Sequence, residues 1–446
     1  MFTLLLSRRS PRTGRGRQAG AGFRPGQGLR RGACAAAAAV VAVTTLGLTG
    51  TGAAIAAGTG GQPGHSTGQT GLVAGVGLQA DQLNDVACRS ARDCLAVGAD
   101  YHTFTPLAET WNGTRWRAVR VKLPSGASHA QLVGVACPAA TRTYCVAVGV
   151  VFKGGTVEAL AETWNGRAWT PVLPPAPAGS QLGGVSCLSP NSCVAVGVAG
   201  ADHSIGGLLA ETWNGSRWTR GTIFAPARTH GGFLNDVSCA TARFCVATGA
   251  IFAGRNAAEA PLIEGWNGRH WAVMKPAAPK TSIATGLYAV SCPSPDSCLT
   301  VGSGGQDISV DAGSIGYAEA WNGHTWALTR PVPWPKGTTN PWLYGVSCPA
   351  VRHCVAVGLV DWVPYSNQAL TGRAAAATWN GKTWTATTVA VPGTRQASGF
   401  AAVTCRPGKT AFCAAVGNVG PWFSSVSSTL SGFWNGKSWK VILPGP

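Results

Sequence analysis

The sequence predicts an all-β chain closed as a seven-bladed β-propeller, with four antiparallel strands and one disulfide in each blade. Three features of the 446 residues carry that expectation: seven copies of one unit, a Trp-Asn-Gly-x-x-Trp segment in every copy, and two cysteines in every copy. The leading cysteines stand 49 to 57 residues apart. A unit of four short strands is too small to bury its own faces, so neighbouring copies must cover one another, and a ring does this for all seven. A linear β-solenoid is the alternative, although it usually has a shorter period and lacks the hairpin chemistry.

In chain order, the first element is a basic and then apolar leader. Eight arginines and no acidic residue occupy the first 31 positions, an Ala/Val/Thr/Gly-rich stretch runs from Gly32 to about Ala57, and Ala54-Ile55-Ala56 has the small-x-small form of a cleavage site. Residues 1–57 therefore read as an export signal, with a chain starting near Gly58. Arg30-Arg31 leaves the twin-arginine route open, and a retained anchor is the alternative to cleavage. Either way the positive flank stays inside and the remainder is placed outside, secreted or associated with the cell envelope. Cys34 goes with the signal. Residues 58–80, rich in Gly, Thr, Gln and Ser, read as a flexible linker, and the propeller takes 81–446.

The copies are expected over 81–126, 127–178, 179–227, 228–280, 281–335, 336–392 and 393–446. Each opens with a Leu-x-x-Val-x-Cys strand, from Leu83 to Cys88 in the first copy and from Phe400 to Cys405 in the last. After a turn comes Cys-Val-Ala-Val-Gly or a close variant, then a loop of changing length, then a strand ending in the first tryptophan. Asn-Gly follows, a hairpin signal because both residues tolerate positive φ, and the second tryptophan starts the fourth strand. The cysteines predict one local disulfide per blade: Cys88–Cys94, Cys137–Cys145, Cys187–Cys193, Cys239–Cys245, Cys292–Cys298, Cys348–Cys354 and Cys405–Cys413. Zinc would need shorter ligand spacings and histidine partners that no copy supplies. Oxidised pairs agree with export.

This order of elements resembles the kelch repeat, found also in galactose-oxidase-like propellers. There a strand ends in glycine, a variable loop follows, and an aromatic residue and a tryptophan bracket a turn, often with Glu two positions before the aromatic. Glu109, Glu162, Glu211, Glu264 and Glu319 match that glutamate. The resemblance spans about 81–446 and implies the fold and a binding scaffold more than any chemistry. One glycine in place of a pair, Trp in place of Tyr, a shorter turn and added disulfides are departures from it. Because the glutamates recur from blade to blade, they are expected to be buried acceptors bonded to backbone or to a tryptophan N–H.

No cofactor, metal site or catalytic set is expected. Every cysteine of the repeats is claimed by a pair, the eight histidines are scattered, and neither a nucleophile elbow nor a phosphate loop is present. Asp307 and Asp311 in a Gly/Ser-rich loop could hold calcium, but a full site needs six or more oxygen ligands, and an ordinary solvated loop is the expectation. Two functions stay open. One is a non-catalytic binding propeller for glycan, anionic envelope polymer or extracellular protein. The other is a secreted propeller enzyme of glycoside hydrolase or polysaccharide lyase type, with carboxylates such as Asp85, Asp100, Asp202, Asp236 and Asp361 converging in one cleft. A monomer is expected, with no nucleic-acid partner and with peripheral contact to a membrane or wall.

Two surfaces are candidates. Strands alternate in direction, so the long loops share one face and the short turns the other. On the loop face, aromatic residues outside the repeat pattern, Trp334, Trp342, Trp362, Tyr365, Trp422 and Phe423, form a candidate binding surface or else plug small cores beneath the loops. On the turn face, Arg115, Arg167, Arg217, Arg269, Lys382 and Lys437 follow the Asn-Gly pairs, with further arginines in the cysteine turns. Without the eight leader arginines, 27 basic residues face 17 acidic ones, and the turn face accounts for the whole excess. That predicts attraction to an anionic surface.

Overall fold

The Cys-Val-Ala-Val-Gly strands are continuous apolar runs, so side chains on both of their faces must be buried, which calls for packing on both sides. A computed structural model describes residues 81–443 apart from 102, 139–140, 142, 201–205, 254–257, 280–283, 306–312, 362–371, 394–396, 407–411 and 421–426. The leader and the linker lie outside the described residues. Strands of the repeats form seven four-stranded antiparallel sheets, each made of four consecutive strands. The blades span 81–118, 127–172, 181–220, 229–274, 284–328, 342–388 and 398–442. In the first, the strands are Asp81–Ser90, Asp93–Asp100, Thr105–Trp111 and Trp116–Ala118. The seven-bladed propeller is thus the observed fold. Among the described residues no helix is long and apolar enough to cross a membrane.

First strands of neighbouring blades lie against one another around the ring, so they are innermost and line the channel. Each seam holds a core built from the middle strands of one blade and from the leucine, valine and tryptophan pair of the next. The leucine that opens each repeat, replaced by Phe400 in the last, is at most 1% exposed. The two tryptophans of each hairpin face each other in register, with ring centroids 5.1 to 5.6 Å apart. Such aromatic pairs add about 0.5–1.5 kcal/mol beyond the area they bury.

The last blade closes onto the first through packing, because each is complete in its own four strands. Trp111 stacks on Phe433 at 4.5 Å, and the Trp116 indole donates to Ser431 Oγ at 3.0 Å. Hydrogen bonds also run between inner strands. The backbone N–H groups of Cys239, Cys292, Cys348 and Cys405 donate to Ser186, Ser238, Ser291 and Ser347 of the preceding blade at 2.9 to 3.0 Å.

Seven disulfides join first to second strands within blades in the predicted pairing, with Cα atoms 3.9 to 4.2 Å apart. The hairpin differs from the expected turn. Glycine alone takes positive φ, 97° at Gly113, and Asn112 Oδ1 accepts the N–H groups of Thr114 and Arg115 at 3.0 Å. The loop is therefore four residues long, and asparagine contributes its side-chain acceptor rather than left-handed backbone.

A further regularity was not expected. Just after the buried leucine, every first strand carries a β-bulge, at Asn84, Val133, Gly183, Asn235, Tyr288, Tyr344 and Ala401. The bulge pushes the preceding carbonyl across the glycine that ends Val-Ala-Val-Gly. A Cβ on Gly98 would lie 1.9 Å from the Gln82 carbonyl oxygen. That close approach is why the glycine recurs.

Candidate functional site

A bulged residue leaves the pleat and turns away from the packed faces of its blade. Since first strands line the channel, the seven bulge positions form one layer around its axis, with a side chain at every one but Gly183. The layer is uneven: Val133, Gly183 and Ala401 are small, Asn84 and Asn235 donate to the next blade's Leu132 and Leu287 carbonyls at 2.8 Å, and blades 5 and 6 contribute Tyr288 and Tyr344.

Trp342, at the loop end of its strand, completes an aromatic cluster with these two. Tyr288 and Trp342 stack at 6.0 Å, Trp342 and Tyr344 stack at 6.0 Å, and the two tyrosines lie 5.4 Å apart. Trp342 and Tyr344 are half-buried and Tyr288 is buried. Beside them Ser303 Oγ donates to the Tyr288 hydroxyl at 3.2 Å. Glu259 comes from the neighbouring blade, and Gly286 makes room for it: a Cβ there would stand 2.9 Å from Glu259 Oε1 and 3.7 Å from the Tyr288 hydroxyl. Glu259 Oε1 is buried without a hydrogen-bonding partner among the described residues. Burial pushes its carboxyl up to about 7. Burial first, and then the Glu259 carboxylate, raise the Tyr288 phenol. The arrangement offers an apolar ring surface edged by a carboxyl group that exchanges its proton near neutrality.

The other predicted loop-face residues divide. Trp334 is half-buried against the core between blades 5 and 6, as a plug beneath its loop. Trp362, Tyr365, Trp422 and Phe423 lie outside the described residues. The cluster's other members, Tyr288, Tyr344, Ser303 and Glu259, were missed. A signal for the tyrosines existed in the position after the leucine, which reads Asn, Val, Gly, Asn, Tyr, Tyr, Ala through the copies. Its meaning depends on a bulge that the repeat alone does not reveal.

Of the proposed catalytic carboxylates, Asp85 and Asp236 interact electrostatically with one another, whereas Asp100 and Asp361 are held in other pairs. Asp85 and Asp236 reach the channel wall, where each accepts its own following N–H and that of the next blade, Val135 at 2.7 Å and Val290 at 2.9 Å. Depth in the molecule raises Asp85 to about 7 against these bonds, with the Asp236 charge adding to the rise, and raises Asp236 to about 6. Asp100 pairs in register with Asp81, Asp361 forms an ion pair with Arg373, and Asp202 lies outside the described residues. Among the described residues no group of three His, Cys, Asp or Glu could hold a metal ion. Asp307 and Asp311 lie outside them.

The repeated glutamates only partly follow expectation. Glu319 accepts the N–H groups of Ala277 and Ala278 at 2.7 and 3.1 Å. Both oxygens of Glu162 and of Glu211 are instead buried without a hydrogen-bonding partner among the described residues. Burial raises Glu162 to about 8 and Glu211 to about 7. Protonation is the response of a carboxyl in a seam too apolar to solvate its charge.

On the opposite face, the two short turns of a blade meet. Trp111 donates its indole N–H to the Ala91 carbonyl at 3.1 Å, and a Cβ on Gly113 would touch the Arg92 side chain. Arg115, Arg167, Arg217, Arg269, Lys382 and Lys437 are all exposed there.

No protein-family model and no curated protein matches the chain. Solved structures of similar fold include a family 74 glycoside hydrolase, the xyloglucanase of Xanthomonas campestris, at 13% identity and TM-score 0.51, covering 82% of this chain. This chain spans 55% of the xyloglucanase. A polysaccharide lyase of family 25, an ulvan lyase bound to a GlcA-Rha3S saccharide, has 10% identity and TM-score 0.51, covering 82% of this chain and 97% of its own. YCF48 bound to a D1 peptide follows at 12% identity and TM-score 0.45, covering 76% of this chain and 91% of its own. The likeness to the xyloglucanase and the ulvan lyase is one of fold.

Proposed function

We propose that this chain is an extracytoplasmic binding propeller that takes a glycan at the loop-side mouth of its channel. The observation that carries the reading is the stack of Tyr288, Trp342 and Tyr344 beside the uncommitted Oε1 of Glu259. A sugar ring has an apolar C–H face and a rim of hydroxyl groups, so it suits an aromatic platform edged by one hydrogen-bonding carboxyl. Seven disulfides support an oxidising compartment, in keeping with the export reading of residues 1–57 and a place in the envelope or outside the cell. The xyloglucanase and the ulvan lyase act on polysaccharides with the same scaffold, so the ligand class is compatible with the fold.

The test is retention of the purified chain on a panel of neutral and acidic soluble polysaccharides, read by affinity electrophoresis. Trp342→Ala and Tyr344→Ala should each weaken binding about tenfold, the value of one lost stacking contact, with melting temperature kept close to the parent. A chain that no glycan retards, or variants that bind as the parent does, would overturn it.

A further inference from the structure

One seam of the turn face holds a basic cleft. Between blades 1 and 2 a cleft of about 560 Å³ is lined by Arg89, Asp93, Arg120 and Arg167, with Thr110 and Thr143. Asp93 is already committed, because its two oxygens take the Arg89 guanidinium at 2.7 and 2.8 Å. Arg120 and Arg167 then leave the cleft with two positive charges in excess. Both are exposed, and neither has an ion pair among the described residues. Arg89 in turn is fixed across the seam, with its guanidinium 3.1 Å from Cys145 Sγ. Around the rim, the bases of the other hairpins continue the same sign. Apart from Asp93, the short turns contribute Asp296 as an acidic residue among the described ones.

We infer that the turn face is a docking surface for an acidic polysaccharide, whose carboxylate seats in the cleft between Arg120 and Arg167 while the chain runs along the ring of hairpin bases. Guanidinium groups bind planar carboxylates through paired N–H donors, and two of them flanking a concave floor select a charged group presented on a flexible polymer. A membrane would ask for a belt of large apolar side chains around the basic ring, whereas the cysteine turns expose Val351 and Leu188 and the hairpin turns present Asn-Gly and basic residues. The surface is independent of the aromatic mouth on the other face, so either can fail alone.

Sodium polygalacturonate is the probe, with dextran as the neutral control and with phosphatidylglycerol vesicles as the rival surface. The expected result is retention by polygalacturonate at 50 mM salt that is largely lost by 500 mM, as screening shortens the range of the field. Arg120→Glu with Arg167→Glu should reduce binding more than tenfold. Lys153→Glu with Lys336→Glu on the loop face should leave it within about twofold. Circular dichroism of each variant reports folding. The inference falls if polygalacturonate is not bound at low salt, if the loop-face reversal weakens binding as much as the cleft reversal, or if vesicles are bound and the polymer is not.

Discussion

Glu162 shows how one side chain sets a solution property. Its carboxyl has an ordinary value of 4.5 and is raised by burial to about 8. The folded chain therefore keeps a proton that the unfolded chain releases, and folding takes up protons between these values. Its contribution to stability is fully present below about pH 4.5 and is lost as pH rises through about 8. Glu162→Gln, which stays neutral throughout, should melt close to the parent at pH 4.5 and increasingly above it toward pH 8.5. Melting temperatures across that range check this, and a constant offset between the two proteins would contradict it. The comparison with Gln isolates one group from the excess positive charge that acid adds elsewhere.

Pairing of the first and second strands depends on a glycine that propensity alone would disfavour. Gly98 sits beneath the bulge at Asn84, and its missing Cβ is what lets the Gln82 carbonyl pass. Gly98→Ala should cost about 3 kcal/mol, at the upper end for overpacking because backbone rather than a mobile side chain blocks the new atom. Gly154 at a loop tip has nothing within 4 Å and a φ of 57°, so Gly154→Ala should cost about 1 kcal/mol, the left-handed strain alone. Urea denaturation midpoints measure both. Equal costs would mean that the bulge tolerates a side chain.

Across the whole molecule, the seam between the last and first blades is where the ring is joined without a covalent neighbour. Phe433 replaces the usual small or hydroxyl residue before the hairpin tryptophan and fills that seam by stacking on Trp111. Phe433 is half-buried, so Phe433→Ala should lower stability by about 2–3 kcal/mol, less than the loss of a fully buried phenylalanine. Because blades 1 and 7 are the ends of the ring, limited proteolysis should make its earliest new cuts there. Cuts spread evenly over the seven blades would argue that closure is no weaker than the chain-linked seams.

Blade number, strand order, disulfide pairing and the tryptophan hairpins were readable in the sequence because each is a local pattern written seven times. Periodicity averages out the exceptions, and the cysteines stand across a single turn. What the tertiary structure decided lies in positions that do not repeat. Tyr288 and Tyr344 are 56 residues apart in sequence and meet because the ring brings two bulges to one axis. The same ring separates Trp334, which fills a seam, from Trp342, which reaches the channel, although both looked alike as unpatterned aromatics. Closure likewise had no sequence signal, since its contacts join Trp111 to Phe433 over more than 300 residues. Hydrogen bonding within a hairpin is set by neighbours a few residues away, whereas a site on the axis exists only once all seven seams have packed.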